Sequence, residues 1–368
     1  MIRFDTVSKV YPDGTTAVNE LSFTAPTGQL TVLVGPSGCG KTTTMRMINR
    51  LIEPTSGTIT LDGVSTASLN RVELRRRIGY VIQNAGLFPH RTVVDNVAAL
   101  PRLLGTDKRS ARSNAMELLE RVGLSEKFAH RYPWQLSGGQ QQRVGVARAL
   151  ATNPPFLLMD EPFSAVDPIV RAQLQEEFRR LQREIGKTIV MVTHDIDEAL
   201  TLGDQVAVMR EGGTLAQLDA PAELLAHPAD AFVADFIGSA RGYRALGFLT
   251  GGDGLVIDDT AAVRVGDPVA SVAAAREGWA VVVADGGQPL GWVSARTVAG
   301  RQIGESDIHR GGTVASASGT MRDLLNSALS SPSDHAIVVD DSGRYRGTVA
   351  SDAVMVAIRA AKIASVAA

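Results

Sequence analysis

The sequence predicts an α/β fold for roughly its first two hundred residues, and three observations support this prediction. Short β-rich runs alternate with helical patterns, which is the order of a parallel sheet with crossover helices. The runs FLLMD and TIVMVTH are apolar throughout, as is usual for central strands that are covered on both faces. The stretch GPSGCGKT, residues 35–42, lies between the strand-like LTVLV and a helical segment, which is the context of a phosphate-binding loop.

The strands can be placed in order along the chain. The N-terminal MIRFDTVSKV alternates like a strand, and the later candidates are LTVLVG, GTITLDG, IGYVIQ, PFLLMD and KTIVMVTHD. QVAVMREGGTLAQLD carries Gly212 and Gly213 between two apolar runs, which predicts a hairpin. Over about residues 87–152 the strand signal fades and helical periodicity replaces it, so we predict a helical subdomain inserted into the α/β domain.

Length and composition limit the classes of protein to consider. The 368 residues are too many for one core of usual size, so we predict two domains. A net charge of -2 gives no basic excess, so we expect no nucleic-acid partner, and the single cysteine, Cys39, excludes an internal disulfide. The N-terminus has no apolar signal core, and no apolar run reaches the about 20 residues that span a bilayer. We therefore expect a soluble chain that reaches a membrane only by docking onto another protein.

The C-terminal part contains an internal repeat. AVVVADGGQPLGWVSARTV begins at Ala280, and AIVVDDSGRYRGTVASDAV begins 56 residues later at Ala336; each reads as strand, turn, strand and helix start. Two copies predict a pseudo-symmetric pair that buries a shared face. Glycines around residues 238–254 favour a linker, so we predict a first domain over 1–238, a linker over 239–253 and a second domain over 254–368.

The phosphate loop is the first candidate site. Its glycines let backbone N–H groups close around phosphate oxygens, Lys41 supplies charge to the β- and γ-phosphates, and the Thr42 hydroxyl can ligate magnesium. The alternative is a chance glycine turn, which the eight-residue pattern and its flanking strand and helix argue against. The predicted nucleotide-binding residues of the loop are Gly35, Pro36, Ser37, Gly38, Cys39, Gly40, Lys41, Thr42 and Thr43.

Two acidic residues, Asp160 and Glu161, follow the apolar run FLLM. A carboxylate at the carboxyl end of a strand can hold magnesium, and the next carboxylate can orient a water molecule or accept its proton. Paired acids after a strand are, on their own, more often a solvated strand end. The presence of a phosphate loop in the same chain makes them candidates for the second half of a nucleotide-hydrolysing site.

Three further residues are weaker candidates when each is taken alone. His194 ends an apolar strand and could be aimed at a γ-phosphate, although such a histidine is more often a capping or core residue. Gln83 follows another strand and could sense magnesium or the attacking water. Tyr11 could stack on adenine or simply pack against the sheet.

The stretch QLSGGQQQR, residues 135–143, reads as a second anion-binding helix start. Ser137 is a suitable N-cap, and Gly138 and Gly139 allow close approach to the backbone. One triphosphate needs only one phosphate loop from its own chain. A second anion-binding helix start, here called the second cradle (residues 137–140), makes physical sense when it faces a triphosphate bound to another copy, in a head-to-tail pair about a two-fold axis.

Taken in order, GPSGCGKTT, Gln83, LSGGQQQR, LLMDEP, SAVD and VTHD resemble the motifs of the ATP-binding cassette (ABC) ATPases, over about residues 1–238. This resemblance implies a P-loop NTPase core of RecA-like type with an inserted helical subdomain and an antiparallel β subdomain. It also implies ATP and Mg²⁺ as cofactors and a homodimer. The magnesium residues that it implies are Thr42, Gln83 and Asp160.

The same resemblance assigns roles to individual residues. Glu161 becomes the catalytic base, with His194 and Gln83 beside it in the catalytic set, and Tyr11 stacks on adenine. Asp167 communicates across the dimer. The residues that it places against the partner's nucleotide are Ser137, Gly138, Gly139 and Gln140.

Within this family, NRLIEPTSG and YVIQNAGLFPHRTVVDNV resemble the ATPases of quaternary-amine osmoprotectant importers, which move glycine betaine, carnitine, choline or proline betaine. The ATPases of amino-acid and polyamine importers share much of this sequence, so an ATPase of that kind is the alternative. The implied partners are permease subunits that contact the segment after Gln83 and an extracytoplasmic solute-binding protein, and the implied location is the cytoplasmic face of the plasma membrane. A soluble ABC ATPase of DNA repair or translation usually has two cassettes or a coiled-coil insertion. A non-catalytic scaffold would not need Glu161 and His194.

The C-terminal repeat resembles a tandem cystathionine-β-synthase-type (CBS) pair, a small α/β module. In that family a glycine, a Ser/Thr three residues on and an Asp six residues on bind adenosine nucleotides. The matching positions here are Gly291, Ser294 and Thr297 in the first copy and Gly347, Ala350 and Ala353 in the second. The aspartate is absent from both copies, so packing or dimerisation is favoured over nucleotide sensing. Salt sensing through Arg344, Arg346, Arg359 and Lys362 is a further hypothesis.

Overall fold

A six-stranded sheet organises the first of the two compact units into which the chain divides, residues 1–238 and 239–368. The computed structural model describes residues 1–83, 85–164, 166–250, 257–258, 262–273, 278–298 and 302–367. The strands of the first unit are β1 (Ile2–Val10), β2 (Thr16–Ala25), β3 (Leu30–Val34), β4 (Ser56–Leu61), β5 (Val64–Ser65), β6 (Ile78–Val81), β7 (Phe156–Asp160), β8 (Thr188–Thr193), β9 (Gln205–Met209) and β10 (Leu215–Asp219).

The helices of the first unit lie mainly between these strands. They are α1 (Lys41–Ile48), α2 (Arg71–Arg76), α3 (Val93–Val97), α4 (Ala99–Leu103), α5 (Lys108–Arg121), α6 (Gly138–Leu150), α7 (Pro168–Ile185), α8 (Ile196–Leu202), α9 (Pro221–Ala226) and α10 (Ala231–Ile237). Short 3-10 turns cover Thr66–Ser68, Glu126–Phe128 and Pro133–Gln135. Between β6 and β7 the described residues contain helices and turns, which is the helical insertion that the sequence predicts.

The large sheet has the order β10-β9-β3-β8-β7-β6, and its pairings are parallel except for the antiparallel β9–β10 hairpin. β3, β7 and β8 are buried along their whole length, because helices cover both faces of a parallel sheet. Parallel strands end at the same edge of the sheet. The residues that follow β3, β6, β7 and β8 therefore converge, although long stretches of sequence separate them.

A second sheet, with the order β2-β1-β4-β5, is antiparallel. The sequence prediction missed β2, since TAVNELSFTA carries several exposed polar residues and shows only partial alternation. Phe4 of β1 stacks on Phe23 of β2 with ring centroids 4.6 Å apart. Both pack with Met45 and Met47 of α1 and with Phe156 of β7 in one buried core. That core fixes α1, and with it the phosphate loop, between the two sheets.

The second unit is built on two hairpins. Its strands are β11 (Trp279–Val283), β12 (Pro289–Ser294), β13 (Val314–Ser316), β14 (His335–Val339) and β15 (Tyr345–Ala350), and its helices are α11 (Arg241–Ala245), α12 (Ala270–Ala273), α13 (Met321–Ser330) and α14 (Ser351–Ala367). Further 3-10 turns cover Leu246–Phe248 and Glu305–Asp307. Across the described part of the chain, no helix combines the length and the apolar character needed to cross a bilayer.

The repeat predicted from the sequence is present in the backbone. The bounds of β14 and β15 lie 56 residues after those of β11 and β12, and both hairpins have the same register with an irregularity at the same place. Val281, Val283 and Trp292 of the first hairpin form one buried cluster with Ile337 and Val339 of the second. The two copies therefore share a buried face. α14 follows the second copy, whereas residues 295–298, where the first copy's helix start is predicted, form a turn in which Thr297 N donates to the Ser294 carbonyl oxygen at 3.1 Å, so the prediction is wrong for the first copy.

The segment predicted as a linker, residues 239–253, differs from that prediction. α11 and the turn Leu246–Phe248 occupy most of it, and Leu246 is buried in the core of the second unit with Met321 and Ala315. The apolar contact of Leu246 thus decides the structure here in spite of the glycine-rich sequence. Gly251, Gly252 and Gly254, on which the linker prediction partly rested, lie outside the described residues.

Replacement of either of two glycines at matching positions of the repeat should lower the stability of the second unit measurably. Gly291 and Gly347 have φ values of 144° and 150°. A Cβ atom on Gly291 would lie 2.5 Å from the His309 carbonyl oxygen, and one on Gly347 would lie 2.4 Å from the Asp258 carbonyl oxygen. We expect Gly291→Ala and Gly347→Ala each to destabilise the second unit by about 2–4 kcal/mol, because strain and overlap with backbone atoms add. Urea unfolding followed by tryptophan fluorescence measures the change.

Gly343→Ala is the matched control for this prediction. Gly343 also has a positive φ, 74°, but a Cβ there would meet nothing within 4 Å. Its expected cost is only about 1–2 kcal/mol, the backbone penalty alone. Equal losses at Gly343 and Gly347 would show that the close backbone approach contributes nothing.

Candidate functional site

The loop between β3 and α1 forms an anion site with no side-chain cap. Gly40 precedes α1 with a φ of 91°, and a Cβ there would lie 2.1 Å from the Ala17 carbonyl oxygen, so only glycine fits. No side chain caps α1. The first-turn N–H groups of Lys41, Thr42 and Thr43 lack intrahelical acceptors, and the positive end of the helix dipole adds to their attraction for a phosphate.

The Lys41 side chain is enclosed by the backbone of this loop. Its Nζ donates to the carbonyl oxygens of Gly35 at 2.7 Å and Pro36 at 2.8 Å, and it lies 3.5 Å from Cys39 Sγ. Both Lys41 and Cys39 are buried. A buried ammonium without a carboxylate partner needs acceptors, and the loop carbonyls provide them here. The same ammonium is placed to receive phosphate oxygens.

A cleft of about 580 Å³ opens over the loop. The residues that line it are Ala17, Gly35, Pro36, Ser37, Gly38, Gly40, Lys41, Thr42, Thr43, Glu161, His194 and Phe236. The structure thus brings together the phosphate loop, the second acid after β7 and the histidine after β8. Convergence at one edge of a parallel sheet produces this arrangement.

Thr42 and Asp160 form a pair of oxygen ligands. The Thr42 hydroxyl donates to Asp160 Oδ1 at 3.3 Å, and Asp160 is only 7% exposed. Burial raises the pKa of the Asp160 carboxyl above its usual value, and the hydrogen bond from Thr42 offsets part of this effect. A divalent cation at the pair would remove the cost of the buried charge. The chemistry of this donor set therefore fits magnesium.

Glu161 is held from two sides. Gln83 Nε2 donates to its Oε2 at 3.2 Å, and His194 Nδ1 lies 3.1 Å from its Oε1. The Glu161 backbone has a φ of 43°, a left-handed value that non-glycine residues adopt at a cost. Its N–H donates to the Val192 carbonyl oxygen of β8 at 2.9 Å, and this bond stabilises the conformation. The result is a carboxylate in a fixed position at the wall of the cleft.

The second cradle is a separate structure. Ser137 caps α6 through a reciprocal pair: its Oγ accepts from Gln140 N at 3.3 Å, and Gln140 Oε1 accepts from Ser137 N at 3.1 Å. Ser137 and Gly138 are exposed, and none of residues 137–140 is among those that line the cleft in the described part of the chain. Gly139 has a packing role as well. A Cβ there would lie 3.2 Å from both Leu174 and Val170 of α7.

Two predicted residues lie away from the cleft. Asp167 caps α7 by accepting from Val170 N at 3.1 Å and is otherwise exposed. Tyr11 lies in the turn after β1, with the Lys9 ammonium 5.3 Å from its ring centroid. Tyr11 is not among the described residues that line the cleft. In the single chain neither residue meets the phosphate loop.

Ala17 and Phe236 were missed by sequence reasoning. Ala17, in β2, approaches the loop through its carbonyl oxygen, so its side chain gives no signal. Phe236 comes from α10, nearly two hundred residues after the loop, and stacks on Phe232 with centroids 6.2 Å apart. A stacked aromatic pair on a short helix reads as ordinary core packing. Only the fold brings Phe236 to the cleft.

Comparison with known proteins identifies relatives of both units. Residues 18–164 match the family model described as ABC transporter. The osmoprotectant import ATP-binding protein OsmV of Salmonella typhimurium is 44% identical over 342 residues, 91% of this chain and 89% of its own length. The glycine betaine/carnitine/choline transport ATP-binding protein OpuCA of Bacillus subtilis is 52% identical over 241 residues, 66% of this chain and 63% of its own length. The chain thus spans nearly all of one relative and somewhat under two thirds of the other.

Solved structures give the same result for the first unit. A dimeric ATP-binding cassette in a post-hydrolysis state, bound to ADP and Pi, is 35% identical with a TM-score of 0.54, over 60% of this chain and 99% of that one. The cbiO1 protein of Clostridium perfringens, part of an ABC transporter complex, is 29% identical with a TM-score of 0.57, over 61% of this chain and 90% of that one. The chain belongs to the family of ABC transporter ATP-binding proteins.

Proposed function

We propose that this chain is the ATP-hydrolysing subunit of an importer for quaternary-amine osmoprotectants of the glycine betaine, carnitine and choline type. The observation that carries this proposal is the similarity to OsmV across both units, over 91% of this chain. Relatives that are 51–52% identical over 66% of this chain are named for glycine betaine, carnitine or choline transport. The cleft supplies the chemistry, because it combines a phosphate loop with a fixed carboxylate.

The phosphate loop, residues 35–43, holds the nucleotide. The N–H groups at the start of α1 and the Lys41 ammonium bind phosphate oxygens in place of the loop carbonyls that Lys41 now contacts. Thr42 and Asp160 would hold Mg²⁺, and Gln83, which contacts Glu161, is the third residue proposed to bind it. When bound, the ion neutralises charge on the phosphate groups.

Glu161 orients the attacking water and accepts its proton. Gln83 and His194 each contact one of its carboxylate oxygens, so the carboxylate plane is fixed relative to the loop. A fixed acceptor removes the need to reorganise during the reaction. His194 also lines the cleft, which puts its ring within reach of a terminal phosphate.

Hydrolysis requires two copies in this proposal. Ser137, Gly138, Gly139 and Gln140 are placed at a helix start that does not face the cleft of their own chain. A head-to-tail homodimer brings them to the partner's nucleotide, with the exposed Asp167 at the interface and Tyr11 against the adenine. The solved dimeric cassette with ADP and Pi supports assembly as a dimer.

The permease subunits dock on the helical insertion, at the cytoplasmic face of the plasma membrane. A groove of about 610 Å³ there is lined by apolar and basic side chains, among them Phe88 at 42% exposure, Leu103 at 81% exposure and Arg148. Leu87 is only half-buried, and Asn84, the first residue after Gln83, lies outside the described residues. An extracytoplasmic binding protein completes the importer and delivers the solute.

The second unit acts as a CBS-like packing or dimerisation module. The side chains that the nucleotide pattern would use are engaged locally: Ser294 Oγ accepts from Arg296 N at 3.2 Å, and Thr297 Oγ1 donates to the Ser294 carbonyl oxygen at 3.0 Å. Arg344, one of the basic residues proposed for salt sensing, pairs with Asp340 at 3.4 Å. The Lys362 side chain lies outside the described residues.

Uptake by intact cells tests the proposed function. Cells that carry this chain with its permease should accumulate labelled glycine betaine, carnitine or choline, and Glu161→Gln should abolish uptake because the proton acceptor is lost. The control is Glu211→Gln, at an exposed acid in the turn between β9 and β10. Accumulation of a labelled amino acid or polyamine, without any quaternary amine, would favour the alternative class of importer.

Asp160→Asn should separate stability from activity. Because burial raises the pKa of Asp160, the ionised carboxylate destabilises the metal-free protein above that pKa. We expect Asp160→Asn to raise the Tm in EDTA at pH 8, on the order of a few degrees, and to lower magnesium-dependent ATPase activity by about a hundredfold.

The Tm difference between Asp160→Asn and the wild type should depend on pH in one direction. As the pH falls through the raised pKa, the wild-type carboxyl becomes protonated and the advantage of Asn should shrink. Asp13→Asn is the control, because hydrogen bonds from Thr15 lower the pKa of Asp13 and no gain is expected there. A Tm advantage that grows toward low pH would contradict the assignment.

Ser137→Arg should divide nucleotide binding from hydrolysis. The new side chain fills the second cradle but lies outside the cleft of its own chain. We expect binding of a fluorescent ATP analogue by the monomer to stay within about twofold and ATPase activity to fall by about a hundredfold. Ser125→Arg, at an exposed serine before another short helix in the same insertion, is the control. Loss of monomer binding would place the cradle in its own chain's site.

A further inference from the structure

The backbone just after Gln83 adopts an uncommon conformation. Ala85 and Gly86 have φ values of 56° and 53°, and Ala85 N donates to the Ile82 carbonyl oxygen at 3.1 Å. A Cβ on Gly86 would lie 2.2 Å from Ile82 Cδ1. An alanine held in the left-handed region needs surroundings that fix it there.

Arg148 of α6 provides that support. Its Nη2 donates to the Ala85 carbonyl oxygen at 2.6 Å, and its Nη1 donates to that of Gly86 at 2.7 Å. Burial lowers the pKa of the Arg148 guanidinium, and no carboxylate among the described residues forms an ion pair with it. The planar fork of the guanidinium matches two consecutive carbonyl groups, which a single ammonium does not match equally well.

Gly145, three residues before Arg148, makes a second contact with the same turn. A Cβ on Gly145 would lie 3.2 Å from Ala85 Cβ and 3.4 Å from Ala85 Cα, and Ala85 is only 1% exposed. Residues three apart lie on one face of a helix. One face of α6 therefore holds Ala85 by direct packing at Gly145 and by hydrogen bonds from Arg148.

The two ends of α6 lie at two different candidate functional regions. Its first turn is the second cradle, and Arg148 lies about 15 Å along the helix from Gly138. Two residues before Ala85, Gln83 contacts Glu161 at 3.2 Å. Through α6 and Arg148, the second cradle is thus linked to Ala85, which lies two residues after the Gln83 that contacts Glu161.

We propose that Arg148 is a positioning residue that holds Ala85 and Gly86 against α6 and so fixes the placement of Gln83 beside Glu161. The proposal rests on the proposed ATPase function. Arg148 touches neither the cleft nor the cradle; it acts through Gln83. Its loss should impair turnover while leaving nucleotide binding by the loop intact.

A double-mutant cycle between Arg148 and Gln83 tests this inference in the full-length protein. We expect Arg148→Met to lower kcat by about tenfold with little change in KM for ATP, because two hydrogen bonds from a charged donor are lost. In the Gln83→Ala background, Arg148→Met should have almost no further effect. Arg148→Lys should recover part of kcat, since lysine donates to carbonyl groups and methionine does not.

Arg143→Met is the matched control on the same helix. Arg143 also donates to two carbonyl groups, those of Val122 and Gly123, and pairs with Glu177 at 2.7 Å, but it does not contact the turn after Gln83. Any loss of activity it causes should be the same with and without Gln83. Should Arg148→Met fail to fold, Arg148→Gln replaces it in the same cycle and is judged by the same results.

Two outcomes would overturn the inference while leaving the ATPase function intact. The first is an Arg148→Met deficit that persists undiminished in the Gln83→Ala background. The second is equal activity of Arg148→Met and Arg148→Lys, which would reduce Arg148 to a space-filling role. A wild-type chain without ATPase activity would instead contradict the proposed function itself.

Discussion

The two contacts that hold Glu161, from Gln83 Nε2 on one side and His194 Nδ1 on the other, are the constraint on which the rest of the site depends. Each partner follows a different strand, β6 or β8, and Glu161 itself follows β7, which lies between them. Because Gln83 and His194 both contact it, the Glu161 carboxylate has one orientation relative to the phosphate loop that follows β3. The parallel order β3-β8-β7-β6 is therefore the structural basis of the proposed chemistry.

The site is assembled from features that cost stability. Glu161 has a left-handed backbone, Asp160 is a buried carboxylate with a raised pKa, and Lys41 is a buried ammonium whose acceptors among the described residues are loop atoms. The two buried charges cost stability in the absence of counter-charges, and a bound cation at Asp160 and a bound phosphate at Lys41 would offset that cost. The well-packed core beneath, where β1, β2 and α1 meet β7, compensates for these local costs.

Much of the fold could be predicted from the sequence, and the exceptions have physical causes. The buried strands, the β9–β10 hairpin and the C-terminal repeat have strong local patterns, and the structure contains each of them. β2 was missed because it is half-exposed, and the predicted linker was wrong at Leu246 because a tertiary contact decides its structure. In the site, motif residues could be found by their spacing. Ala17 contributes through its backbone and Phe236 comes from a distant helix, so neither leaves a local signal.

The second cradle shows why one chain is not sufficient to interpret a motif. Ser137 and Gln140 form an ordinary reciprocal cap, and Gly139 is needed where α6 meets Val170 and Leu174 of α7. Within one copy, these roles account for Ser137, Gly139 and Gln140 but not for the exposed Gly138. What they leave unexplained is the exposed Gly138 at the start of α6, the same helix whose Arg148 holds the backbone of Ala85 and Gly86. One rigid element thus carries both the exposed start at Gly138 and, about 15 Å further along, the arginine that holds the backbone beside Gln83.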